Sequence, residues 1–290
     1  MTREIINKTM SRGDLMSPEA APVIDELNSL IRRMYRKRVC MSSWIGTLRA
    51  GRRKRFMDWL LRRVDAGLRL GVEQRLDYEP LPGAADDLRI PWFLYWEIFW
   101  VMKVAGPLLT KDMRLLDGGG ASSLFSCHLA SLGYEVHTID LNKVLIDNDV
   151  RIAKVMGWNL RSYEMNLARM SFPDKHFDHA FSICVFEHLD YDLKQAALAE
   201  IARCLKPSGT LSLTFDYRNP APGVVGIGKD PSPRNAIGTK EDIARNFLST
   251  GHFELIGNPD FQDNGENYLL HPKCNHRPYT FGAIFLRRKG

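Results

Sequence analysis

The sequence predicts an α/β domain over residues 111–290, preceded by a helical, basic region over residues 1–110. From residue 113 onward, short apolar runs typical of strands alternate with segments of helical periodicity. The first 110 residues carry 19 Lys and Arg against 13 Asp and Glu, whereas the remainder carries 21 of each. The net charge of +6 therefore resides in the first region. A chain of 290 residues can bury a sizeable core without disulfide staples.

Helical periodicity in the N-terminal region predicts two amphipathic helices with basic outer faces, over about residues 22–39 and 43–70. Residues 1–20 are expected to be loose, and residues 71–89 to form a connection. Residues 32–63 hold 12 basic residues and one acid. Such a run suits nucleic acid or an anionic membrane surface, but a solvated helix face is equally compatible with it and is the interpretation that we favour.

Residues 90–109 are mostly apolar and about as long as a membrane span. Glu97 and Lys103 lie inside this segment, and Pro91 and Pro107 flank it, which favours a buried or interfacial helix. Its aromatic face, with Trp96 as a candidate contact, either packs on the sheet or closes over a bound ligand.

A glycine turn follows the first expected strand of the α/β domain. Residues 113–117 form that strand, a helix covers 124–132, and a second strand over 134–139 leads directly to an acid. The turn contains Gly118, Gly119 and Gly120, and the acid is Asp140. Glycines let a ligand approach the backbone closely, and the start of the helix presents free N–H groups. The acid can accept hydrogen bonds from ribose hydroxyls. The unit therefore indicates a nucleotide site, the alternative being a tight turn without a ligand.

Three stretches resemble class I S-adenosylmethionine-dependent methyltransferases. The first, LLDGGGASSLFSCHLASLGYEVHTIDLN, is similar to the family's first motif and second strand. Its loop departs from the usual D-x-G-x-G-x-G, because Ala121 and Ser123 stand where the last two glycines are expected. Residues 170–189 resemble the family's stretch around the fourth strand, and residues 205–215 resemble its turn into the fifth.

This resemblance implies a Rossmann-like sheet of seven mostly parallel strands with helices on both faces and the last strand antiparallel. It also implies methyl transfer with S-adenosylmethionine as the cofactor. The residues that it assigns to cofactor binding are Asp117, Gly118, Gly119, Gly120, Asp140, Leu141, Asn166, Leu167 and Cys184.

Candidate catalytic residues follow the fourth and fifth strands, where ligands of such sheets lie. His188 can serve as a general base and Asp216 can orient the acceptor, although both can also be purely structural. Candidate substrate contacts are Trp96, Tyr217, His271 and His276, with a substrate-specific insertion near 218–240. The stretch HPKCNH contains metal-binding residue types but no partner cluster, so we expect no metal site.

These observations predict a methyltransferase acting on a small-molecule acceptor, with a saccharide or a lipid-linked metabolite as examples. One alternative is an RNA methyltransferase that uses the basic helices, and another is a non-catalytic protein that binds the cofactor. Five cysteines without a C-x-x-C pair, and an N-terminus without an apolar signal segment, favour a cytoplasmic location.

Overall fold

The computed structural model describes residues 5–41, 92–219, 233–271 and 277–290. The expected helix over 43–70, the connection over 71–89, His276 and residues 220–232 of the expected insertion lie outside these ranges. The basic stretch is thus described only as far as residue 41.

Five parallel strands form the centre of the sheet. They are β2 (Arg114–Gly118), β3 (Glu135–Asp140), β4 (Leu160–Glu164), β5 (Phe177–Ile183) and β6 (Leu205–Tyr217). Their spatial order is β4-β3-β2-β5-β6. The chain order reverses between β2 and β5, and ligands of open α/β sheets bind beside such a reversal, at the carboxyl ends of the strands.

Antiparallel strands complete the sheet beyond β6. The long β9 (Arg277–Arg288) pairs with β6, and its other edge pairs with β7 (Phe253–Leu255) and with β1 (Lys8–Thr9). The sheet therefore has eight strands rather than the expected seven, because the N-terminal β1 pairs with the edge of β9 that β7 also uses. A short β8 (Leu269–His271) pairs with the beginning of β9 outside this sheet.

Helices cover both faces of the sheet, as predicted. On one face the apolar core includes α2 (Ala20–Arg36), α3 (Trp92–Ala105) and α4 (Leu124–Ser131), with Ile152 of α5 (Lys143–Met156). On the other face lie α6 (Tyr191–Cys204) and α7 (Lys240–Ile243), which continues into a π-helical turn over Ala244–Leu248. Neighbouring strand residues such as Leu115 and Leu116 point into opposite cores, as the two-residue period of a strand requires.

Helix α3 explains the apolar segment at residues 90–109. Its residues 93–101 are all buried, and Phe93 stacks on Phe281 of β9 with ring centroids 4.3 Å apart. The apolar character therefore reflects packing in the core. Within the part of the chain that the structure describes, no helix has the length and apolarity that crossing a membrane requires.

The expectation that residues 1–20 are loose is wrong for residues 5–20, which contain β1 and the short helix α1 (Arg12–Leu15). Two buried amides hold the segment. Asn7 Nδ2 donates to the Ile256 carbonyl at 2.7 Å and Asn7 Oδ1 accepts from Phe285 N at 2.8 Å, while Asn258 Oδ1 accepts from the amides of Ile6 and Asn7 at 2.9 Å. Such anchoring has no periodicity, so an apolar pattern cannot reveal it.

We expect Asn7→Ala to lower the free energy of unfolding by about 2–3 kcal/mol, because it leaves the buried Phe285 amide and Ile256 carbonyl without their side-chain partners. Chemical denaturation measures the change. The control Asn159→Ala removes an exposed amide and should change stability by less than about 0.5 kcal/mol. Equal effects of the two substitutions would show that the N-terminal segment contributes nothing to stability.

Candidate functional site

The glycine turn leaves the carboxyl end of β2 beside β3. Gly119 has a left-handed backbone (φ +80°), and its amide donates to the Ile139 carbonyl at 2.8 Å. A Cβ at Gly119 would lie 2.5 Å from Val185 Cγ2, and one at Gly118 would lie 2.7 Å from Leu167 Cδ1. Gly119 therefore requires glycine for both packing and backbone conformation, whereas a side chain at Gly118 would have to displace the end of Leu167. The turn leads into α4, whose first residues lie at the same edge of the sheet.

Asp117 supports this turn from below. It is buried, and its Oδ2 accepts a hydrogen bond from Ser126 Oγ at 2.6 Å; the same hydroxyl lies 2.6 Å from the Gly120 carbonyl. Burial raises the pKa of Asp117 to about 7, and the charges of Asp149 and Asp140 add to the effect. The predicted cofactor residue thus shapes the turn through Ser126.

The other predicted cofactor residues of β3 and β4 lie at the same edge. Asp140 ends β3, and its Oδ1 accepts from Asn142 N at 2.8 Å; Leu141 beside it is half exposed. Burial raises the pKa of Asp140 above its ordinary value. Asn166 follows β4, and its Oδ1 already accepts from Ala168 N at 2.8 Å, so its amide oxygen is engaged in its own turn.

Four ionisable side chains meet beyond the ends of β5 and β6, and we call them the acid cluster: Glu97, Cys184, Glu187 and Asp216. Cys184 Sγ donates to Glu97 Oε1 at 2.7 Å. The candidate ligand atoms of Cys184, Glu187 and Asp216 all lie within 4.8 Å of one another, close enough to hold a metal ion. Glu97 and Glu187 are buried, whereas Cys184 and Asp216 are half-buried, so the acid cluster is open on one side.

Burial dominates the electrostatics of the acid cluster. Desolvation raises the pKa of Glu97 to about 8, and hydrogen bonds from Cys184 and Thr214 offset part of this effect. It also raises the pKa values of Glu187 and Asp216 to about 7. The pKa of the Cys184 thiol lies well above its usual value, because of burial and of the neighbouring carboxylates. The acid cluster therefore retains protons near neutral pH.

His188 and Asp216 lie near enough for their charges to interact. His188 ends a single 3₁₀ turn after β5, with 35% of its side chain exposed and Nε2 3.9 Å from Glu187 Oε1. Burial lowers the pKa of His188, and the charge of Asp216 partly opposes this. The imidazole is therefore mostly neutral at pH 7, which a proton acceptor requires. Its catalytic role stays a prediction.

Two of the four predicted substrate contacts, Trp96 and Tyr217, lie in the apolar core. Trp96 is fully buried, stacks on Trp100, and donates from Nε1 to Asp14 Oδ2 at 2.9 Å. Tyr217 is 1% exposed and packs against Phe261 in the core on the face opposite α3. Both have the contacts of packing residues. His271 ends β8, and His276 lies outside the described residues.

Sequence reasoning missed Glu97 and Glu187 as members of the site. A signal for Glu97 existed, because a lone acid inside an otherwise apolar helix is seldom buried without a reason. Glu187 directly precedes the predicted base and follows the end of β5 by four residues. Its convergence with Glu97 depends on how α3 packs over the sheet, and local sequence does not specify that packing.

Comparisons with known proteins agree with this geometry. Residues 116–213 match the model of a methyltransferase domain family. The [4+2]-cyclase SpnF is 17% identical with a TM-score of 0.53, covering 87% of this chain and 97% of its own. The MccD protein is 18% identical with a TM-score of 0.52 and covers 67% and 96%. An S-adenosylmethionine-dependent methyltransferase from Methanosarcina mazei is 21% identical with a TM-score of 0.48 and covers 64% and 97%. No protein of curated function matches the chain significantly.

Because the acid cluster holds carboxyl groups of raised pKa, we expect the free energy of unfolding to fall as the pH rises. The pKa of Glu97 is about 8 in the folded chain against 4.5 ordinarily, so its contribution is fully present below about pH 4.5 and is lost as the pH rises through 8. From pH 5 to pH 9 we expect this single group to account for at least about 2 kcal/mol of lost unfolding free energy.

The matched variants for this test are Glu97→Gln and Glu164→Gln. The first should flatten the pH dependence, because a neutral amide has no proton to lose, and the second removes an exposed carboxyl at the end of β4 and should leave the dependence unchanged. Denaturation at four pH values measures both. The same slope in Glu97→Gln as in the parent chain would mean that Glu97 is ionised when buried.

Proposed function

We propose that the chain, whose residues 116–213 match a methyltransferase domain family, is a class I S-adenosylmethionine-dependent methyltransferase and that it methylates a small-molecule acceptor bound beside the acid cluster. One observation carries the proposal. The glycine turn and Asp140 lie at the carboxyl edge of the sheet, and the half-open acid cluster lies at the same edge, on the neighbouring strand ends.

The residues present fit the cofactor. Asp140 can accept hydrogen bonds from ribose hydroxyls, and the exposed Leu141 beside it offers an apolar surface to a base. The tight approach of Val185 and Leu167 to the glycines fixes the turn, so its amides have defined directions. When bound, S-adenosylmethionine supplies a methyl group on a positively charged sulfur, which any nucleophilic atom held in line can accept.

For the acceptor, the chain has to align a nucleophile, remove its proton and exclude water. We assign proton removal to His188, because its side chain is partly exposed and its pKa is lowered. Asp216 would orient the acceptor through hydrogen bonds, with its own carboxylate held by Asn219 Nδ2 at 2.6 Å. A saccharide or a lipid-linked metabolite remains the example of an acceptor that we propose.

One observation supports the alternative that the chain binds the cofactor without transferring its methyl group. The neighbour SpnF is described as a cyclase, so this fold also serves other reactions. The assay must therefore detect methyl transfer itself as well as cofactor binding. We also propose a cytoplasmic location, because Cys127, Cys184 and Cys204 are free thiols in the described part of the chain.

Asp140→Ala should weaken binding of S-adenosylhomocysteine about 10- to 100-fold, through the loss of charge-assisted hydrogen bonds worth about 1.5–3 kcal/mol. Isothermal titration calorimetry measures the affinity. The control Asp147→Ala removes an exposed carboxylate from α5, and its affinity should equal that of the parent. Unchanged affinity in Asp140→Ala would remove the ribose assignment, and no binding by the parent chain would remove the proposed function.

His188→Ala should lower the rate of methyl transfer about 100- to 10,000-fold, the range for loss of a general base. Because the His188 side chain is partly exposed, the melting temperature should change little. The two measurements together separate a base from a structural residue. A variant that melts early but turns over at the parental rate would contradict the assignment.

A further inference from the structure

The acid cluster has a chemical property that the proposed mechanism does not use. Glu97 Oε2 and Glu187 Oε2 are buried and have no hydrogen-bond partner in the described part of the chain, although their residues are only 0% and 3% exposed. Burying a carboxylate oxygen without a hydrogen-bond donor costs about 1–3 kcal/mol or more relative to its exposure to water. A donor group on a bound ligand would satisfy these two atoms.

The charge around the acid cluster is equally unbalanced. No Lys or Arg among the described residues forms an ion pair with its three carboxyl groups. Lys194 influences Glu187 at a distance, but its Nζ donates to the Asn235 carbonyl at 2.8 Å and to Asn246 Oδ1 at 3.1 Å. His188, the nearest ionisable nitrogen, is held mostly neutral by burial. The carboxyl groups of the acid cluster hold protons near neutral pH, and a cationic ligand would compensate their charge when they ionise.

We propose that the acid cluster binds the protonated amino group of the methyl acceptor, which makes the chain an N-methyltransferase of a small amine. The inference rests on the proposed function and names its substrate class. A primary ammonium offers N–H donors to Glu187 and Asp216, whose candidate ligand atoms lie within 4.8 Å of each other. An amino sugar or any other small amine has the required chemistry.

Two features favour an ammonium over a metal ion. Cys184 already donates its S–H to Glu97, and a metal would need the thiolate, which the surrounding carboxylates oppose. Tyr279 of β9 is also near enough for the charges of Asp216 and Glu187 to act, together with burial, on its hydroxyl. An aromatic ring beside carboxylates suits an alkylammonium, since the ring attracts the cation and packs on its carbon atoms.

The position of the acid cluster also suits the reaction. Cys184 precedes Val185, whose side chain lies against Gly119 of the glycine turn, so the acid cluster begins one residue from the donor side. A bound R–NH₃⁺ must first lose a proton, which a carboxylate of the acid cluster or His188 takes up. The nitrogen lone pair then forms the N–C bond while the C–S bond breaks and its electron pair passes to sulfur. The product is R–NH₂⁺–CH₃ with a neutral thioether.

The test compares benzylamine with benzyl alcohol, which have similar size and differ in charge at pH 8. Saturation-transfer NMR on the full chain, loaded with S-adenosylhomocysteine, measures both affinities. We expect benzylamine to bind at least about tenfold more tightly, the effect of one charged hydrogen bond of about 1.5 kcal/mol. Glu187→Gln and the half-buried Asp216→Asn should each remove most of this preference, while Glu254→Gln, an exposed carboxyl on β7, should retain it.

Calorimetry with S-adenosylhomocysteine on the same samples keeps the two proposals apart. Absence of this binding contradicts the proposed function, whereas intact binding without a preference for benzylamine contradicts the amine site alone. If Glu187→Gln lowers the affinity for S-adenosylhomocysteine as much as that for benzylamine, the acid cluster serves the cofactor's own ammonium and the inference is overturned. One equivalent of zinc that survives dialysis and is lost in Cys184→Ser would overturn it in favour of a metal site.

Discussion

The buried carboxyl groups at the edge of the sheet require the elements around them to be held firmly in place, so that water stays out. Glu97 can be buried only if α3 is held firmly over the ends of β5 and β6, because a small displacement would let water reach it. The N-terminal segment provides this restraint. Asp14 accepts from Trp96 Nε1 and the Ile6 carbonyl accepts from Trp100 Nε1, both at 2.9 Å. Segments far apart in sequence are thus joined around the acid cluster.

The two-residue period of β6 separates chemistry from packing. Thr214 and Asp216 face α3 and the acid cluster, whereas Phe215 and Tyr217 point into the opposite core with Phe261. A shift of one residue in the register with β5 would exchange these two sets and bury Asp216 among aromatic rings. The antiparallel pairing of β6 with β9 over eight residues holds β6 from its other side.

The parallel core could be predicted from sequence because its signals are local. The strand, glycine turn, helix and strand ending at Asp140 occur within about one residue of their expected positions, since apolar runs, glycines and a terminal acid occur in order along the chain. The β1 strand could not be predicted in this way, because two residues of strand carry no pattern and depend on Asn7 and Asn258, which are distant in sequence. The place of Glu97 in the site could not be predicted for the same reason, because its hydrogen-bond partner Cys184 is distant in sequence.

Two groups of buried acids lie at the same edge, and their surroundings assign them different roles. Beneath the glycine turn, Asp117 accepts from Ser126, and Asp149 accepts from Thr138 and Ser162 at 2.8 and 2.6 Å. Both are almost fully buried and accept from hydroxyl donors through Oδ2, while Oδ1 of each has no hydrogen-bond partner among the described residues.

The acid cluster differs in being reachable. Its outer members, Cys184 and Asp216, are half-buried, while the unpartnered oxygens of Glu97 and Glu187 lie behind them. An enclosed acid stabilises a turn by accepting internal hydrogen bonds, but an acid at the bottom of an opening selects what enters. Desolvation favours the protonated carboxyl groups, whereas a bound positive charge favours the ionised ones. A cationic ligand would therefore lower their pKa values when it binds, and its affinity would rise as the pH rises through them.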